Sequence, residues 1–286
     1  MLALERRVVE PLWAGIESLL PRRPLDTHPL GCHRRRIADK TCFVGILARL
    51  VTGCSWAVAA TLVGVGETTL RRRRTEWLHA GVFTRIAEAA LAGYERIVGL
   101  QLDEIAIDGS VHKAPMGGEG TGPSHVDRAK LGWKWSIATE ANGIPVAWVC
   151  AGANIADVSL VHDTFDAIEA HGYEQDITTI HLDRGYDSAA IRQLFADVGI
   201  EAHIPQRQRS YRRHRKRHIK PRNRIPLGQR WKVERANSWL SNFGQLRRST
   251  DRKPIHREAA LDLAVACILT AKLVKWHHRY GPTIYT

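Results

Sequence analysis

Apolar residues recur at helical spacing through the first third of the chain and at strand spacing through the middle. Leu2 to Leu19 reads as a helix that the proline-rich stretch Pro21 to Pro29 ends. Ala38 to Thr52 reads as a second helix, with Ile46, Leu47, Leu50 and Val51 as its apolar stripe. A short helix then reaches Leu62, glycines at 64 and 66 make a turn, and a new helix starts near Glu67 and Thr68. This is the outline of a helix-turn-helix, whose second helix can enter a DNA groove. Arg71, Arg72, Arg73 and Arg74 lie on that helix and are candidates for phosphate contact. Gly93 to Leu100 is the expected linker, so residues 1–95 form an all-α, helix-turn-helix-like DNA-binding domain and 96–286 a second domain.

The second part changes period. Leu102 to Ile107 is a strand closed by Asp108-Gly109-Ser110. Met116 to Pro123 is Gly-rich without a phosphate-cradle motif and reads as an excursion. Gly132 to Thr139 is a strand with Trp133, Trp135 and Ile137 on one face, Asn142-Gly143 a hairpin turn, and Ile144 to Cys150 the returning strand. A helix over Ala156 to Ala170 turns Val158, Val161, Phe165 and Ile168 inward. A strand follows over Ile177 to Leu182, then a helix over Ser188 to Val198 and a short strand over Ile200 to Ile204. Arg230 to Leu246 and Ile255 to Tyr280 complete the chain as helices. One strand, a hairpin pair and then crossovers predict a ribonuclease H-like mixed α/β sheet flanked by helices. Its first and fourth strands are parallel neighbours, which brings Asp108 and Asp183 face to face.

Charge adds a partner. The chain has 286 residues and a net charge of +13. Pro205 to Arg257 alone holds 18 Lys/Arg against two acids, Glu234 and Asp251, so the whole surplus belongs to that segment. A polyanion, most simply nucleic acid, is the expected partner. Its densest part, the basic insertion at 205–226, contains Arg212, Arg213, Arg215, Lys216 and Arg217 and reads as a loop ordered by its ligand. His214 and His218 have helical metal-pair spacing, but the surrounding cations argue against a metal there. The five cysteines form no CxxC pair, which argues against a zinc knuckle or disulfide framework. No apolar run approaches the roughly 20 residues of a membrane span, and the N-terminus lacks a signal-peptide pattern. A cytoplasmic, nucleoid-associated protein is expected.

Two facing carboxylates repel and ionise together most easily around a divalent metal. A two-metal centre activates a water or 3′-hydroxyl and stabilises the leaving oxygen at phosphorus. Glu234, an acid on a helix with Arg230, Lys232 and Arg235, is the third candidate ligand. Asp157 and Asp187 read as helix caps. His112 and Lys113 read as surface loop residues, and Trp231 and Trp239 as core.

Asp108-Gly-Ser, Asp183-Arg-Gly-Tyr-Asp-Ser188 and Arg230-Trp-Lys-Val-Glu-Arg-Ala-Asn-Ser-Trp-Leu240 together resemble the DDE transposases of bacterial insertion sequences, in the group named after insertion sequence five. The likeness covers nearly the whole chain. It implies a catalytic and metal-binding triad of Asp108, Asp183 and Glu234, two Mg²⁺ (or Mn²⁺) ions, and a DNA-gripping Arg230. It implies binding of terminal inverted repeats, cleavage of double-stranded element ends, strand transfer into target DNA, and action as a homodimer or higher multimer. The family pattern often has a Tyr where Leu227 stands and a Lys where Ser241 stands; Lys232, Arg235 or Arg247 are candidates for the missing cation. Alternative readings are a nuclease of the same fold without strand transfer, and a non-catalytic DNA-binding protein.

Overall fold

The computed structural model describes residues 4–22, 36–206 and 230–281. Five helices come first: α1 (Arg6–Leu19), α2 (Asp39–Thr52), α3 (Trp56–Val63), α4 (Glu67–His79) and α5 (Val82–Val98). Ser55 caps α3, its hydroxyl accepting from the Val58 N–H at 3.2 Å. Residues 64–66 make the turn into α4, so the expected helix-turn-helix outline is present. The expected linker is not. α5 runs through Gly93 to Val98, because Leu91 and Tyr94 are buried and hold that turn in the core.

The sheet has six strands: β1 (Glu104–Lys113), β2 (Gly122–Pro123), β3 (Leu131–Thr139), β4 (Pro145–Gly152), β5 (Thr179–His181) and β6 (Glu201–His203). β4, β3, β1, β5 and β6 lie side by side in that order, with the short β2 also on β3. β1–β3 and β3–β4 are antiparallel, while β1–β5 and β5–β6 are parallel. This is the ribonuclease H-like order that the element sequence predicts. The hairpin also forms where expected. Gly143 takes φ 78° in the turn, and buried Glu140 accepts from the N–H groups of Asn142 (2.7 Å) and Ile144 (3.0 Å).

Helices α6 (Val161–Glu169) and α7 (Ala189–Asp197) follow β4 and β5; α8 (Arg230–Ser241), α9 (Gly244–Arg247) and α10 (Pro254–Tyr280) complete the described chain. The helix expected over Ala156 to Ala170 begins as a 3₁₀ turn, Asp157–Leu160, and the one expected over Arg230 to Leu246 breaks between α8 and α9. Thr164 of α6 donates to Ser136 of β3 at 2.8 Å, so α6 covers one sheet face. On the other face Trp135 donates its indole N–H to Asn237 of α8 at 2.8 Å. Trp133, Trp135 and Ile137 are fully buried, as their alternation predicts.

α10 joins the two halves. Its residues 259–270 are buried, and Asp262 accepts from Thr84 of α5 (2.9 Å) and from the Trp148 indole of β4 (2.8 Å). Burial pushes the Asp262 carboxyl up to about 6, against the pull of those two donors. No helix among the described residues is long and apolar enough to cross a membrane.

Candidate active site

β1 and β5 place the two aspartates by register. Ala106 pairs with His181 in the parallel ladder. Asp108 and Asp183 each stand two residues further on, so strand alternation brings both carboxylates to one face at one end of the ladder. The strand does not end at Asp108, as the sequence suggests. Only β5 stops there; β1 continues to Lys113 because β3 still pairs with it, Asp108 lying opposite Ile137.

Asp183 does two things. Its Oδ1 accepts from the Gly185 N–H and caps the turn Arg184–Tyr186. Its Oδ2 lies 3.5 Å from Nη2 of Arg230. Turn capping and the contact with Arg230 thus use different oxygens of one carboxylate. α8 supplies the rest. The same Arg230 nitrogen is 3.6 Å from Glu234 Oε1, one helical turn on. Asn237, a further three residues along the same face, donates to Asp108 Oδ2 at 3.1 Å while accepting from Trp135. Asn237 therefore ties α8 to β1 and β3.

Burial pushes Asp108 up to about 6, helped by the charges of Asp183 and Asp157 and opposed by the Gly109 N–H and Arg230. Tyr186 is buried, and burial raises its phenol strongly, with Asp108, Asp157 and Asp183 adding to the rise. Its hydroxyl borders the Gly109 N–H, yet no atom meets full hydrogen-bond geometry with it among the described residues.

The donor set fits a hard divalent cation: carboxylate oxygens, with a guanidinium nitrogen already holding positive charge between two of them. Among the described residues no three acid, His or Cys side chains converge on one point, since Arg230 stands between Asp183 and Glu234.

Other expectations change. Asp157 is not a cap: Ala156 holds that position, no cap hydrogen bond forms, and Asp157 Oδ1 instead takes Lys134 Nζ at 2.8 Å. Asp187 is not the cap of α7 either; Ser188 is, accepting from Ile191 at 3.2 Å, and Asp187 pairs with Arg192 at 2.9 Å. His112 sits in β1 rather than a loop. It stacks 3.7 Å from Trp135, and burial pushes it down to about 3. Trp231 is 47% exposed instead of core, with Arg235 4.7 Å from its ring, whereas Trp239 packs against the core. Ser241 donates back to the Asn237 carbonyl at 2.7 Å, closing the helix end.

The cations divide similarly. Arg71 is exposed and pairs with Glu67 at 2.5 Å, and Arg72 is exposed beside an open groove of about 550 Å³ lined also by Arg36, Gly64, Gly66 and Thr69. Arg73 and Arg74 are 2% and 7% exposed and meet internal carboxylates, although Arg73 also borders that groove. Arg73 pairs with Asp39 and Arg74 with Asp251 at 2.7 Å. Arg235 donates to the Asn142 carbonyl and ties the hairpin to α8, while Lys232 is half-buried. Arg212, Arg213, Arg215, Lys216, Arg217, the His214–His218 pair and Leu227 lie outside the described residues. Sequence reading missed Asn237, Tyr186 and Lys134. Asn237 was signalled by its place three residues after Glu234, and Lys134 by standing mid-strand among apolar residues.

Comparison with known proteins identifies a family. Residues 100–270 match the family described as "Transposase DDE domain", and residues 8–87 match "Putative transposase of IS4/5 family". A putative transposase for insertion sequence element IS402 from Burkholderia cepacia is 35% identical over 155 residues, 52% of this chain and 67% of that protein. An uncharacterized 16.2 kDa protein of the same insertion element and organism is 31% identical over 114 residues, 40% of this chain and 77% of that protein. Among solved structures, a pre-cleavage Mos1 transpososome is 10% identical with a TM-score of 0.27, covering 88% of this chain and 82% of that one. The fold assignment rests on the strand order instead. The first match spans more than half of the chain and contains both aspartates and Glu234: the chain belongs to the DDE transposases of insertion sequences.

Proposed function

We propose that this transposase binds the terminal inverted repeats of its element, cuts the DNA there and joins the freed 3′-ends to target DNA. One observation carries the reading: the shared register of Asp108 and Asp183, with α8 hung over them by Asn237 so that Glu234 arrives at the same end. The DDE family depends on divalent metal. Asp108, Asp183 and Glu234 would hold it, as two Mg²⁺ or Mn²⁺ ions. Bound ions supply Lewis-acid stabilisation at phosphorus and a more acidic attacking hydroxyl or water.

The chain's own residues do the rest. Asn237 holds one Asp108 oxygen so that the other is free to point at the site. Arg230, between Asp183 and Glu234, is placed to exchange those carboxylates for a DNA phosphate. Arg71 and Arg72, on the exposed side of α4, and the cations of 205–226 would bind the backbone of double-stranded DNA, with Lys232 nearer the site. Holding two ends at once calls for a homodimer or higher multimer, acting where the chromosome lies.

A cleavage assay on DNA spanning the element ends, with Mg²⁺ and with wild type beside Asp183→Ala, tests this. Metal-dependent nicking by wild type alone, with 3′-ends covalently joined to target, is the expected result. Cleavage without joining would make the protein a nuclease. Metal-independent binding with no cleavage would reduce it to a DNA-binding protein.

A further inference from the structure

Asp108 faces α8, but the next residue, Gly109, faces the other side of the sheet with its cross-strand partner Ser136. A Cβ at 109 would stand 2.9 Å from Asp157 Cγ and overlap its Oδ1. The Gly of the Asp-Gly-Ser motif is therefore what lets a fourth carboxylate press against the strand directly behind Asp108. Lys134, one alternation along β3 from Ser136 and 3% exposed, holds that carboxylate at 2.8 Å. A buried ammonium without such a partner would be costly. Asp157 is 44% exposed at its side chain, so it meets solvent on one side and Lys134 on the other.

The same carboxylate faces the site's other groups. The 3₁₀ turn that begins at Asp157 packs on the turn Arg184–Tyr186 that follows Asp183. The Tyr186 hydroxyl, on a residue 3% exposed and with no well-formed hydrogen bond among the described residues, lies within electrostatic reach of Asp108, Asp157 and Asp183.

We propose that Asp157 is a fourth acidic member of the centre: fixed by Lys134 behind Gly109, it positions Asp108 and adds the negative charge that draws a divalent cation to Asp108 and Asp183. This inference rests on the reading of the acidic centre above. It gives the buried Lys134 a purpose, because a flexible carboxylate at 157 would swing to solvent instead of staying against the strand.

The test is Mn²⁺ binding to the purified full chain without DNA, followed by electron paramagnetic resonance, for wild type, Asp157→Asn, Asp157→Glu and Asp183→Asn. Asn at 157 still accepts from Lys134 but carries no charge. Asp157→Asn is expected to weaken Mn²⁺ about 10-fold with an unchanged circular dichroism spectrum, as supporting-residue changes at metal sites commonly do. Asp157→Glu should recover most of the loss. If Asp157→Asn binds Mn²⁺ within about twofold of wild type while Asp183→Asn is weakened, the inference falls and the centre stands. If Asp183→Asn also binds like wild type, the centre itself is misread. If Asn and Glu at 157 weaken binding equally, charge is irrelevant and the inference again falls. Should Asp157→Asn unfold, Asp157→Ser removes the charge while leaving Lys134 a hydroxyl acceptor. The same 10-fold loss is expected there, and wild-type affinity would overturn the proposal.

Discussion

Two charged regions of this chain look alike on paper and behave in opposite ways. The arginine run 71–74 on α4 is divided by the helix, while Asp108 and Asp183 are brought to one end of the sheet by register and Glu234 reaches Asp183 only through Arg230 of α8. Successive helical residues turn by about 100°, so four in a row cannot share a face. Leu70, Arg73, Arg74, Trp77 and Leu78 are the buried residues of α4, and their spacing is that of a core stripe. Two guanidinium groups therefore occupy core positions, and each needs an anion from elsewhere: Asp39 for Arg73, Asp251 for Arg74. In the strands the period is two and the parallel ladder fixes the register, so two acids far apart in sequence come to the same end and face of the sheet. A cation's neighbours in sequence thus say little about its role; its place in the local period says much more.

The sharpest way to break the comparison is to remove charge from each region and read both activity and stability. Asp183→Asn keeps an oxygen for the Gly185 N–H, so the turn it caps survives. End cleavage is expected to fall by at least about 10³-fold, equivalent to roughly 4 kcal/mol of barrier, with little change in thermal midpoint. Retained cleavage would show that the facing aspartates are structural, as Arg73 and Arg74 are.

Arg74→Met should do the reverse. It leaves Asp251 buried with its main partner gone, although Arg49 remains 3.6 Å away and Gln245 donates at 2.6 Å. A loss of about 3–5 kcal/mol in urea unfolding is expected, as for other broken buried pairs. Arg74 and Arg49 also lie over the Trp56 ring at 4.7 and 4.6 Å, so the variant loses packing as well as charge. A variant as stable as wild type would mean that Arg74 is free for another role.

The same network gives a pH dependence with a definite sign. Burial and the Arg74 charge push His256 down to about 4, below its ordinary 6.5. The unfolded chain then takes up the proton first, so stability is full at pH 7 and declines as pH falls from 6.5 toward 4. Burial would raise Asp251, but Arg74, Arg49 and Gln245 outweigh it and hold it below the usual range. Its contribution is present above the unfolded carboxylate range and disappears at still lower pH, as pH falls through the folded value. Urea midpoints measured from pH 7 to 4 should drop less in His256→Gln than in wild type; equal drops would place the titration elsewhere.

Much of this was legible in the sequence for a physical reason. The strand order followed from the Asn142-Gly143 hairpin and the alternating Trp133, Trp135 and Ile137, because strand period and turn chemistry are local. The facing of Asp108 and Asp183 followed from the order. The caps misled because Asp157 and Asp187 have the right local position but are claimed by Lys134, 23 residues away, and by Arg192. Asn237 stands three residues after Glu234, but its task does not show in that spacing, since it depends on a Trp 102 residues earlier. Long-range partners decide such residues, and a local pattern carries no record of them.

The smallest effect belongs to the exposed half of the arginine run. Arg71 pairs with Glu67 at the surface and lies 5.5 Å from the Trp56 ring, contacts worth a fraction of a kcal/mol to about 1 kcal/mol, so Arg71→Ala and Arg72→Ala should each change stability little. If they meet phosphates, each substitution should weaken DNA binding several-fold, equally across sequences, and reduce the slope of log affinity against log salt by about 1. Fluorescence anisotropy with an end-repeat duplex and a scrambled duplex, over a salt series, reads all three quantities. A slope unchanged in both variants would mean that neither face of α4 touches DNA. The four arginines would then be two core cations and two solvated ones, and recognition would fall to the cations at 205–226 and beside the acidic site. A slope lowered in Arg72→Ala alone would place the duplex along the groove bordered by Thr69 and Arg36, since Arg71 stands one position back on the helix and is already engaged by Glu67.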